Sequence, residues 1–235
     1  MASYHPCGSN SSLDSPYLET YKKQLIVRVS GIERASADVG ERILSEFENA
    51  LNEATRCRKC RLSESRTNVV FGEGDLKASV MLIGEAPGFN EDREGRPFVG
   101  QAGRFLNEVL LKAAGLERGE VYITNVVKCR PPENREPADD EVEACFPYLS
   151  VQIQFIKPKV IVTLGNVATT TLFKRFNLRL ASIGSIHGRI FNVSTLSYGS
   201  FKIIPSYHPA TALYNPRVSE VMVEDWVKIG ETVRL

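Results

Sequence analysis

Four short apolar runs, each closed by a residue that stops a strand or carries chemistry, constrain this chain more than any other feature. Ser79–Ile83 (SVMLI) ends at Gly84, Val121–Val127 (VYITNVV) contains Asn125, Lys159–Leu164 (KVIVTL) ends at Gly165, and Phe201–Ile204 ends at Pro205. Runs this short and this apolar suit strands buried on both faces. Helical stretches lie between and after them: Gly100–Ala114, Ala138–Ile156, Asn166–Phe176 and Arg217–Val233. Pro147 implies a break or kink in the second of these, and Asn166 is placed to cap the third. Strands alternating with helices predict an α/β fold, a parallel sheet covered on both faces.

In such a sheet the ligand cleft opens beyond the carboxyl ends of the strands. The segments found there are Gly84-Glu85-Ala86-Pro87-Gly88, Asn125 with Cys129 beyond it, Gly165-Asn166, and Ser206-Tyr207-His208-Pro209. The sequence thus predicts one site fed by four distant segments. Gly84, Gly88 and Gly165 are expected to permit close approach of backbone.

With 235 residues, 43% of them hydrophobic, the chain can bury one substantial core and still carry an appendage. Residues 1–40 read as that appendage, polar at the start and then briefly apolar at Leu25-Ile26-Val27. Residues 41–235 read as the working domain. It opens on an amphipathic helix over 41–55 whose stripe is Ile43, Leu44, Phe47 and Leu51. No apolar run approaches the roughly 20 residues of a membrane helix, and the polar start lacks a secretion core. The expectation is a cytoplasmic protein without membrane contact. A net charge of +1 neither demands nor excludes nucleic acid, because binding needs a basic face rather than a basic total.

The five cysteines are not scattered. Cys57 and Cys60 form a C-x2-C pair, and Cys129 and Cys145 are separated by fifteen intervening residues that include a proline-rich segment. Two close ligands and two remote ones suit a four-thiolate site, for which zinc and an iron–sulfur cluster are both acceptable. Cys7 stands apart from the set.

The motifs GEAPG, GRPFVGQAG, TNVVKCRPPENREP and SYHPA, taken in order with the four cysteines, resemble the type-4 uracil-DNA glycosylases, iron–sulfur enzymes of thermophilic bacteria and archaea. The resemblance covers roughly residues 45–232. It implies a three-layer α/β/α sandwich around a short central parallel sheet. It implies hydrolysis of the bond between uracil and deoxyribose in DNA, as the first step of base-excision repair. It also implies a structural 4Fe-4S cluster held by Cys57, Cys60, Cys129 and Cys145. The partner would be uracil-containing DNA, single- or double-stranded. The enzyme would act as a monomer, and nothing in the sequence points to a sliding-clamp contact.

The resemblance also implies roles. His208 would donate a hydrogen bond to the uracil carbonyl oxygen that gains charge as the base leaves. Asn125 would read the imide edge, accepting from its N–H and donating to the adjacent carbonyl. Phe98 would stack on the extruded ring. Backbone N–H groups of Glu85 and Ala86 would serve the base as well. In type-1 relatives an aspartate activates water where Ala86 stands here, so the general base is open. Glu85 orients the water, or the water is barely activated. Glu91 would wall off the space of a thymine methyl, and Asp92 is the weaker carboxylate candidate. Leu213 is a candidate wedge into the duplex, and Arg58, Lys59, Arg61, Lys128, Arg130 and Arg135 are candidates for a phosphate-facing surface.

Three other readings compete. A non-catalytic metal-bearing nucleic-acid module explains the cysteines but not the strand-end site. A branch with broader base specificity lacks the carboxylate of GEAPG. A relative that is trapped covalently on DNA needs a histidine between the first motifs, and no histidine lies between residues 6 and 186.

Overall fold

The computed structural model describes residues 37–234, with side chains from residue 45 onward. Residues from Glu46 onward form one compact unit. The expected extension over residues 1–40, with Cys7 and Leu25-Ile26-Val27, lies outside the described residues apart from the first turn of the helix Ala37–Thr55, as do the side chains of Ile43 and Leu44. Phe47 and Leu51, the rest of that stripe, are buried.

Among the described residues six strands form one sheet: β1 (Glu73–Gly74), β2 (Val80–Gly84), β3 (Val121–Asn125), β4 (Val160–Leu164), β5 (Phe191–Thr195) and β6 (Gly199–Ser206), in the order β1-β3-β2-β4-β6-β5. The four expected strands are its parallel centre, with β2 paired to β3 and β4, and β4 to β6. Both edges are antiparallel additions that the apolar pattern did not announce. β1 is two residues long, and β5 is half-exposed, so neither carries the continuous apolar signal of a central strand. The sheet is therefore mixed rather than purely parallel.

Alternation along the strands splits the core into two faces. Val80, Leu82, Val121, Ile123, Val160, Val162 and Ile204 pack with Leu106, Leu110, Leu111, Met222, Trp226 and Ile229. These partners lie on the run of helix Gln101–Ala114 and on the helix Pro216–Arg234. On the other face Tyr122 and Thr124 meet Gln152 of the helix Asp139–Ile156, and Thr163 meets Thr169 of the helix Asn166–Arg175. Helices on both sides of the sheet make the three-layer sandwich.

Some local expectations change. The helix Asp139–Ile156 runs through Pro147 without a break. Pro147 and Glu143, the residue whose carbonyl loses its donor, are both exposed. Asn166 is the first residue of its helix rather than the cap, because Gly165 takes the cap position at φ +96°. β6 continues through Pro205 to Ser206, past its last antiparallel pair at Ile203, where the missing N–H costs no bond to β5. The helix from Gln101 to Ala114 has a π-turn at Leu106–Leu110. Among the described residues no helix is long and apolar enough to cross a membrane.

The strand order sets the site. From β2 the chain goes to β3 on one side, then crosses to β4 on the other, so a crevice opens beyond the carboxyl end of β2. Gly84, Asn125, Leu164 and Ser206 end the four parallel strands at that edge.

Candidate active site

A cavity of about 370 Å³ occupies the crevice. Glu85, Ala86, Glu91, Phe98, Asn125 and His208 all line it, so the structure gathers every residue that the sequence nominates for the base pocket. Pro131, Asn134 and Arg135 close one rim, and Ala210 another.

Asn125 is the floor. It ends β3 at 1% exposure, and its Oδ1 has no hydrogen-bond partner. A buried amide oxygen without a partner costs about 1–3 kcal/mol, a cost that a ligand N–H relieves. Gly84 makes room for it: a Cβ there would collide with Asn125 Oδ1 and come within 2.7 Å of the Phe98 ring. Gly165 likewise clears His208, and Gly88 clears Glu91.

His208 follows β6 and begins the short helix Pro209–Ala212. Its Nδ1 accepts from the backbone N–H of Ala210 at 3.2 Å. Burial pulls its pKa down to about 4, with the Glu91 carboxylate pulling the other way. The imidazole is therefore neutral at pH 7, and its proton sits on Nε2. Its ring lies 5.8 Å from that of Phe98.

Phe98 stands in the left-handed region at φ +51°. For a residue with a bulky side chain that conformation costs about 1–3 kcal/mol, so the surroundings must impose it. Arg118 donates to the carbonyls of Pro97 and Phe98 at 2.6 and 3.3 Å and to Asn107 Oδ1 at 2.8 Å. Glu91 Oε1 accepts from the N–H groups of Val99 and Gly100 at 2.9 and 2.8 Å. Gly103 lets the next helix press against the Phe98 carbonyl. Glu73 joins Arg118 to Arg96, and although burial opposes it, these two guanidiniums hold its carboxyl below the ordinary range. Glu91 thus lines the cavity and also ties its wall. Asp92 faces away, buried and bonded to the N–H groups of Thr67 and Asn68.

Glu85 has its pKa raised to about 7, first by burial and then by the nearby Glu136.

The four cysteines line a second, narrow pocket together. Three of their sulfurs already receive hydrogen bonds: Cys57 from Lys59 N, Cys129 from Arg66 Nη1 and Cys145 from Lys128 N, at 3.5, 3.3 and 3.2 Å. Burial pushes the Cys145 thiol up to about 12. Among the described residues no three His, Cys, Asp or Glu side chains converge as ligands of a single metal ion.

One nomination for a phosphate-facing surface needs correction. Lys128 is 1% exposed, and its Nζ donates to Thr124 Oγ1, Asn125 O and Gln152 Oε1 at 2.6 to 2.7 Å. Burial lowers its pKa to about 7. It is an internal brace behind Asn125. Arg61 and Arg135 are exposed but bound to the buried Glu141, whose pKa they hold down to about 2. Leu213 is 39% exposed, as a wedge requires. Neither Lys128 nor Arg118 stands out in the sequence: Lys128 sits beside Arg130 and reads as basic surface, and Arg118 sits between Glu117 and Glu120 and reads as an ordinary surface charge.

Residues 71–229 match the family described as the uracil DNA glycosylase superfamily. The chain belongs to that superfamily. A protein of Saccharolobus solfataricus named type-4 uracil-DNA glycosylase is 48% identical over 182 residues, covering 77% of this chain and 84% of that one. One of Thermotoga maritima with the same name is 43% identical and is covered over 90% of its length, with 76% of this chain. A type-5 uracil-DNA glycosylase of Pyrobaculum aerophilum is similar at 29% identity, over 70% of this chain and 82% of its own. Within the superfamily the likeness is to the type-4 branch, which agrees with the carboxylate in Gly84-Glu85-Ala86.

Proposed function

We propose that this protein is a uracil-DNA glycosylase that starts base-excision repair by releasing uracil from DNA. The observation that carries the reading is the pair formed by Asn125 and His208: a buried acceptor without a partner and a neutral imidazole donor, lining one cavity at the switch point of the sheet. Uracil offers an imide N–H to the first and a carbonyl oxygen to the second. The C1′–N1 bond breaks, its electron pair goes to the base, and the charge that grows on the carbonyl meets the His208 Nε2–H. Phe98 holds the ring by stacking. Water adds to C1′ and loses a proton, for which the Glu85 carboxylate is the nearby acceptor above about pH 7. That carboxylate also favours the cationic character of the sugar. Glu91 borders the place where a thymine methyl would stand.

Cys57, Cys60, Cys129 and Cys145 would hold a 4Fe-4S cluster. The fit is the meeting of four thiols from three chain segments in one pocket, with three sulfurs supplied with the N–H donors that such clusters use. Bound there, the cluster would supply cross-linking of those segments and no redox step. The enzyme would act as a monomer on single- or double-stranded DNA, among the chromosomal DNA of the cytoplasm.

An oligonucleotide with one uracil, incubated with the protein and then treated with alkali, tests the reading. Cleavage at uracil and not at thymine or cytosine is the expected result. Folded protein that binds the strand and leaves it uncut would instead make this a binding module.

A further inference from the structure

Phe89 opens the helix Phe89–Glu94 directly after Gly88, yet it is 57% exposed and takes no part in the base pocket. Two guanidiniums attend its ring. The Arg93 guanidinium carbon lies 6.0 Å from the ring centroid and that of Arg130 lies 5.2 Å away. Arg130 also reaches back to the cavity: its Nε donates to Asn134 Oδ1 at 2.7 Å, and Asn134 lines the rim. Asn134 and its neighbour Glu133 both hold φ +55°, so the rim loop has a defined and costly shape rather than an arbitrary one. The ring therefore stands just outside the mouth, continuous with it through Pro87 and Gly88 on one side and Pro131 and Asn134 on the other.

An exposed aromatic ring with cationic neighbours is the means by which proteins hold unpaired nucleotides, the ring stacking on a base and the guanidiniums drawing the phosphates. Extruding uracil leaves its neighbours in the same strand partly unstacked at the cavity mouth. We propose that Phe89, with Arg93 and Arg130, forms a second subsite that stacks a nucleobase adjacent to the extruded uracil. The proposal rests on the glycosylase reading above. It needs no particular base, because every base offers a π face.

The test separates the two. Affinity is measured for single-stranded oligonucleotides carrying 2′-fluoro-deoxyuridine, which resists hydrolysis. The base on the 5′ or the 3′ side is intact or replaced by an abasic tetrahydrofuran spacer. The wild-type protein should lose at least about fivefold in affinity with one of the two spacers. Phe89→Ala and Phe89→Leu should bind spacer and base alike, and Phe89→Trp should restore the difference. A wild-type protein indifferent to both spacers overturns the subsite. So do Phe89→Ala and Phe89→Leu proteins that keep the wild-type sensitivity. Failure of the glycosylase reading shows elsewhere, as absence of alkali-labile sites when wild-type protein meets the ordinary deoxyuridine strand.

Discussion

The backbone N–H of Ala210 donates to Nδ1 of His208 at 3.2 Å, and this bond decides which ring nitrogen is left to face the cavity. A neutral ring that accepts at Nδ1 must donate at Nε2. Nitrogen NMR of the histidines should show the Nε2–H tautomer for His208 at pH 7, with a midpoint far below the ordinary 6.5. His208→Ala should slow single-turnover excision by about 100- to 1000-fold while DNA affinity changes little. A merely structural histidine would lower the melting temperature and leave the rate of the folded fraction as it was.

Asn125→Asp replaces a donor–acceptor amide by an acceptor alone. Its charge would also repel the uracil anion as it forms. Most uracil excision should disappear, and a trace of cytosine excision should emerge, because a carboxylate accepts from the cytosine amino group. Parallel assays on uracil- and cytosine-containing strands check both halves.

Glu85 has a folded pKa of about 7 against an ordinary 4.5. The unfolded chain therefore gives up that proton first as pH rises, and the folded protein loses relative stability between about pH 4.5 and 7. Glu85→Gln should melt at a higher temperature than wild type at pH 8 and at nearly the same temperature at pH 4. The excision rate of wild type should climb through pH 7, and the climb should vanish in the variant. A melting difference that is equal at both pH values would remove the buried charge from the account.

Arg118 touches no substrate in this reading, but it holds two carbonyls of the loop that aims Phe98. Arg118→Ala should reduce the rate at saturating DNA by up to about 100-fold, the scale of a misplaced reacting partner. Arg118→Lys should restore the charge beside Glu73 but not the fork that spans Pro97 and Phe98. Melting curves and single-turnover rates on both variants distinguish aim from stability: aim predicts a Lys variant that is stable and slow.

Protein purified without oxygen should be brown and contain iron and sulfide in near-equal amounts. Replacing any one of Cys57, Cys60, Cys129 and Cys145 by Ser should impair folding more than it alters the chemistry of what folds. Zinc alone with full activity would rule out the cluster.

The parallel centre of the sheet was legible because strands buried on both faces must be apolar throughout, as β2, β3 and β4 are. The edge strands were not, since one of them is two residues long and the other half-exposed. The cavity residues were legible by their place at strand ends and by the family motifs. Their supports were hidden. Arg118, Glu73 and Gln152 act across 11 to 81 residues of sequence, and no local pattern announces such partners. Lys128 misled for a related reason: a lysine beside Arg130 reads as surface, and only the fold reveals three buried acceptors around its ammonium.

That same lysine has two grips. Its main-chain N–H holds the sulfur of Cys145, and its side chain holds the carbonyl of Asn125. The thiol pocket and the floor of the base pocket are thus separated by the length of one residue. A repair enzyme built this way has no slack between them. Loss of a thiol would therefore loosen the strand end that carries Asn125, so the cysteines guard the shape on which the base pocket depends.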